Sequence, residues 1–126
     1  MYKVCPPEVV RLLDQEGAKA SGGVLRFKNV QLPLLEQLSE LGVLDPTEAQ
    51  NSGPEIQELM AMGKRYNGVL YGGYRVADGR WDRRITLDDI RIPLKDVMWI
   101  PAELIPWIRS ATVVEAVNGF LHLWWD

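Results

Sequence analysis

TVVEAVNGFLHLWW, residues 112 to 125, carries the strongest fold signal in this 126-residue chain. Asn118-Gly119 suits a two-residue turn whose central residues both take positive φ, and β-branched and aromatic residues flank it. A hairpin turned there pairs Val117 with Phe120, Ala116 with Leu121, Glu115 with His122, Val114 with Leu123, Val113 with Trp124 and Thr112 with Trp125. Both faces come out largely apolar, which predicts burial of part of the hairpin on two sides. Glu115 and His122, the single histidine, stand opposite each other on a face that also holds Val113, Val117, Phe120 and Trp124. A carboxylate beside an imidazole favours the charged ring and orients it for acid–base work. The same pair also reads as two polar groups satisfying one another at the margin of a core.

Working backwards, GGYRVADGRWDRR (72–84) predicts a second hairpin around Asp78-Gly79. A two-residue turn there pairs Val76 with Trp81, Arg75 with Asp82, Tyr74 with Arg83, Gly72 with Ile85, Tyr71 with Thr86 and Leu70 with Leu87. Strict alternation then places Leu70, Tyr74, Val76, Trp81, Ile85 and Leu87 on one face. The other face takes Tyr71, Arg75, Asp82, Arg84, Thr86 and Asp88. Tyr71, Arg75 and Arg84 are therefore the candidate contacts for an anion. Gly72-Gly73 is a natural place for a bulge, and one extra residue there would swap faces. Asp88-Asp89 could suggest a metal site, but adjacent residues of a regular strand point to opposite faces.

Helical signals precede the hairpins. Pro6-Pro7-Glu8 opens a short helix with Val9, Leu12 and Leu13 at helical spacing. VLRFKNVQL (24–32) favours a strand, with Asn29 breaking its alternation. LPLLEQLSELG gives an apolar stripe of Leu34, Leu35, Leu38 and Leu41, with Gly42 placed at C′. Ser52, with Glu55 three residues on, resembles a capping box for a helix that buries Ile56, Leu59 and Met60. Pro93, Pro101 and Pro106 leave room only for a short helix around Ala102–Ile105. The fold expected is one α+β domain: a mainly antiparallel sheet of two hairpins plus the N-terminal strand, packed by about three short helices.

Composition narrows function. The net charge of −3 and pI near 5.2 weigh against a dedicated nucleic-acid binder. One His and one Cys separated by most of the chain give no zinc spacing, and no phosphate-binding glycine motif or nucleophile elbow appears. No metal and no cofactor is expected. No apolar run is long enough for a membrane span, no signal peptide is apparent, and the lone Cys5 fits a reducing compartment, so a cytoplasmic location is expected. Four of the five tryptophans, Trp99, Trp107, Trp124 and Trp125, lie in the last 28 positions. Tryptophan is enriched at interface centres, which marks these four as a candidate surface for a protein partner or a second copy; they could equally fill one core. The leading expectation is a non-catalytic protein-interaction module. The alternative is a small-molecule or enzymatic domain with a pocket between helices and sheet, using Glu115 and His122. Anion or nucleic-acid contact through residues 72–84 ranks third.

Overall fold

The Asn118–Gly119 turn forms with φ of 52° and 82°, as a two-residue hairpin turn requires. The computed structural model describes residues 7–14, 24–50, 53–76, 84–94 and 100–126. Along the chain run α1 (Pro7–Asp14), β1 (Val24–Val30), α2 (Leu32–Glu40), α3 (Ile56–Arg65), β2 (Leu70–Val76) and β3 (Arg84–Pro93). A 3₁₀ turn (Ala102–Leu104) then leads into α4 (Ile105–Ser110), β4 (Val113–Val117) and β5 (Phe120–Trp124). The five strands form one antiparallel sheet in the order β1-β2-β3-β5-β4. This is a small α+β domain.

The local signals explain most element ends. Gly42 takes φ of 77°, donates to Ser39 O, and lets Val43 N–H reach Leu38 O, the paired bonds of a Schellman cap. Asn29 sits at φ 58°, where the β1–β2 register shifts between Phe27 and Val30. The capping box of α3 lies three residues later than its sequence spacing suggests. Glu55 is the N-cap, and Glu58 Oε1 accepts from its N–H at 3.0 Å. Both Ser52/Glu55 and Glu55/Glu58 have the right spacing; the helix starts at Ile56, which is fully buried. The C-terminal helical segment is longer than the prolines suggest, because Pro106 falls in the first turn of α4.

The helices cover one face of the sheet. Leu13, Leu35, Leu38, Ile56, Leu59 and Leu104 pack with Phe27, Tyr71, Leu87, Ile90, Ile92, Leu121 and Leu123. Trp107 and Trp125 meet edge to face within this core, ring centroids 6.1 Å apart, and Trp125 Nε1 donates to Ser110 Oγ at 2.9 Å. An edge-to-face pair adds about 0.5–1.5 kcal/mol beyond area burial. Part of this hairpin is expected to be buried on two sides; that part is β5, its inner strand, while β4 is the outer edge of the sheet among the described residues.

The β2–β3 register corrects the sequence reading. Val76 pairs with Arg84, Arg75 with Ile85, Tyr74 with Thr86 and Gly73 with Leu87, an offset of three residues from a turn at Asp78-Gly79. Residues 77–83, including Asp78-Gly79, Trp81 and Asp82, lie outside the described residues. The anticipated bulge is present at Gly72/Gly73, but its extra residue is Asp88 on β3: Gly72 pairs with Asp89 and Gly73 with Leu87. This arrangement puts Ile85, Leu87, Ile90 and Ile92 together on the core face, which a regular strand could not do.

Candidate functional site

The polar residues gather on the sheet face opposite the helices. The Asn118–Gly119 turn fixes Glu115 directly across from His122, as the sequence spacing predicts. His122 in turn pairs with Arg91 on β3, with Asp89 at the diagonal position. Its Nδ1 lies 2.9 Å from Glu115 Oε1 and its Nε2 lies 2.5 Å from Asp89 Oδ2. A row of carboxylate, imidazole and carboxylate therefore crosses β3, β5 and β4. Both contacts are donated by the ring only when both nitrogens carry protons.

The bulge supplies the second half of the cluster. With Asp88 inserted, Asp88 and Asp89 share a face, correcting the expectation that adjacent acids diverge. Asp88 is 2% exposed. Its Oδ2 accepts from Arg26 Nη2 at 2.8 Å and from Trp124 Nε1 at 3.3 Å, while its buried Oδ1 has no partner among the described residues. Burial pushes the Asp88 carboxyl above its ordinary range, against the opposing pull of Arg26. Thr86 Oγ1 and Arg91 Nε are also buried with no hydrogen bond among the described residues, the latter 3.9 Å from Asp89 Oδ1. A Cβ on Gly72 would come within 3.1 Å of Asp89 Cβ, so the absence of a side chain there lets Asp89 lie across β2.

Sequence reasoning weighs Asp88-Asp89 only as a metal site, sets it aside on strand alternation, and gives Arg26 no role. The signal was available in ITLDDIRI (85–92), where the apolar residues keep one parity at 85 and 87 and the other at 90 and 92. That change of phase marks the bulge.

The other candidates are dispersed. Tyr71, expected at the surface, is 0% exposed, and its hydroxyl donates to Leu59 O at 2.8 Å. Burial raises its phenol well above the usual range. Arg75 shares the Tyr71 face, at the end of the sheet, and Arg84 lies on the opposite one. The odd register offset is the reason these two are not together. Arg84 instead meets Glu48 at 3.2 Å and donates to Tyr74 Oη at 3.1 Å. Tyr74, expected among apolar residues, sits between Arg26 and Arg84, whose guanidinium carbons are 6.0 and 5.5 Å from its ring centroid.

Trp107 and Trp125 lie in the core and do not present a surface, because α4 folds back over the sheet. Trp124 is half-buried on the opposite face beside Asp88, and Trp99 lies outside the described residues. Glu115 and His122 are likewise not between helices and sheet. The groove found there, about 490 Å³ and lined by Leu12, Val30, Pro33 and Leu34, belongs to the β1 edge, at the other side of the sheet from β4. Among the described residues no group of three His, Cys, Asp or Glu side chains is arranged to hold a metal ion, and no helix is long and apolar enough to cross a membrane. No protein-family model matches the chain, and neither a curated protein nor a solved structure shows significant similarity to it.

Proposed function

We propose that this protein is a non-catalytic interaction module to which a partner protein adds an extended strand along β4. The observation that carries this reading is the difference between the two sheet edges. β1 has Arg26 and Lys28 and is broken by the irregularity at Asn29, all devices that discourage edge pairing. β4 reads Val113-Val114-Glu115-Ala116-Val117, has no Lys, Arg or Pro, and keeps unbroken register with β5. Val114 is exposed on it. Strand addition gains affinity from main-chain hydrogen bonds and specificity from alternate side chains. The placement of Trp107 and Trp125 in the core moves the proposed contact from the tryptophans to this edge.

Catalysis by Glu115 and His122 has less support, since both imidazole nitrogens are held by carboxylates. A photo-crosslinking residue placed at Val114, with one at Lys28 as comparison, tests the reading in cells that express the protein. Adducts to a partner are expected from position 114 and not from 28. Equal capture at both positions, or none at 114, would sink it.

A further inference from the structure

From the half-exposed carboxylate at the centre of β4, and resting on the strand-addition reading above, we infer that the partner strand carries a lysine or arginine opposite Glu115. Apolar β-branched residues stand two positions to either side of that cation. Along the row from β3 to β4 the groups are Asp89, His122 and Glu115, with each ring nitrogen on a carboxylate oxygen. The row ends at the sheet edge on the Glu115 carboxylate. Arg91 lies at the inner end, near Asp89, and leaves that outer carboxylate as it is.

The Glu115 side chain is 52% exposed and is the only charge on β4. Its Oε1 is held 2.9 Å from His122 Nδ1 on β5. Val113 and Val117 flank it on the same face. A residue directly opposite on an added antiparallel strand comes close enough to pair with it, and opposite charges there are favourable while like charges are not.

The same rule disfavours a second copy of this chain as the occupant. A two-fold axis perpendicular to the sheet that overlaps all of Val113–Val117 pairs Val113 with Val117 and sets Glu115 against Glu115. The two-residue turn makes Val117–Phe120 a hydrogen-bonded pair, and alternation extends this to Glu115–His122 and Val113–Trp124. The backbone groups of Val114 and Ala116 therefore point away from β5, towards the added strand.

Selection of displayed random heptapeptides on the wild-type protein tests the inference. Folded Val114→Lys and Ala116→Pro chains serve as edge-blocked comparators, since neither change removes a hydrogen bond to β5. The expected binders are lost on both comparators and carry Lys or Arg at one fixed position, with Val, Ile or Thr two residues away on each side. A synthetic binder should weaken roughly tenfold on Glu115→Lys and less on Glu115→Gln, in keeping with reversal of one cross-strand charge pair. Selection on Glu115→Lys should in turn favour an acid at that position. Binders that need β4 but show no basic preference overturn the inference and leave strand addition standing. Binders indifferent to both comparators, or no binders at all, overturn both.

Discussion

Gly73 lies so close to the backbone carbonyl of Thr86 that no side chain fits between them. A Cβ there would overlap the Thr86 oxygen outright and stand 3.0 Å from Leu87 Cα. This close approach falls beside the bulge, where the β2–β3 register shifts between Gly72 and Gly73. Gly73→Ala should therefore cost about 1–3 kcal/mol or more through forced backbone displacement. Gly72→Ala meets the Asp89 side chain and the Phe27 carbonyl at 3.1–3.2 Å, and should cost less. Urea unfolding of both variants gives the comparison, and equal midpoints would contradict the assigned bulge.

The two hairpins show which part of the fold was legible. In the second, the turn's positive-φ requirement is local and Asn118-Gly119 satisfies it, so five strand pairs follow from two residues. In the first, the strands pair three residues away from the register that Asp78-Gly79 implies. β3 is the middle strand, held by β2 on one side and β5 on the other, and it must place four apolar residues on the core face. That requirement is tertiary and outweighs a turn preference. The Glu115–His122 pair was legible for the same local reason as its hairpin. Asp89 was not, since it reaches His122 only through the bulge and the β3–β5 pairing.

Asp88 predicts a pH dependence of definite sign. Its folded carboxyl binds a proton more tightly than the ordinary value of 3.8, chiefly through burial. The ionised form therefore subtracts stability at neutral pH, and that cost is relieved as pH falls through the raised value towards the unfolded one. Asp88→Asn keeps an acceptor for Arg26 and removes the buried charge. Its stability relative to wild type should be more favourable at pH 7 than at pH 4. Denaturation midpoints at the two pH values decide this, and a difference that grows on acidification would reverse the assignment.

The Trp107–Trp125 contact separates core tryptophans from the half-buried Trp124. Trp125→Ala should cost about 3–5 kcal/mol, as expected for a large buried ring. Trp124→Phe keeps an aromatic ring but loses the 3.3 Å bond to Asp88 Oδ2 and part of a half-buried ring, and should cost less, about 0.5–1.5 kcal/mol for the hydrogen bond. Calorimetric unfolding that ranks the two the other way would show that Trp125 is not the core residue.

The His122 ring ties β5 to both of its neighbours, through Asp89 on β3 and Glu115 on β4. Replacing it with alanine leaves Asp89 without its 2.5 Å partner and Glu115 without its 2.9 Å partner. Glu115 is half exposed and water replaces the ring readily, so that contact is worth little. The Asp89 side chain is only 16% exposed, and loss of its partner should dominate, at about 1–3 kcal/mol. Glu115→Ala should therefore destabilise far less than Asp89→Ala. In a double-mutant cycle, the coupling of His122 to Asp89 should exceed its coupling to Glu115. A coupling to Glu115 as large as that to Asp89 would contradict this ordering.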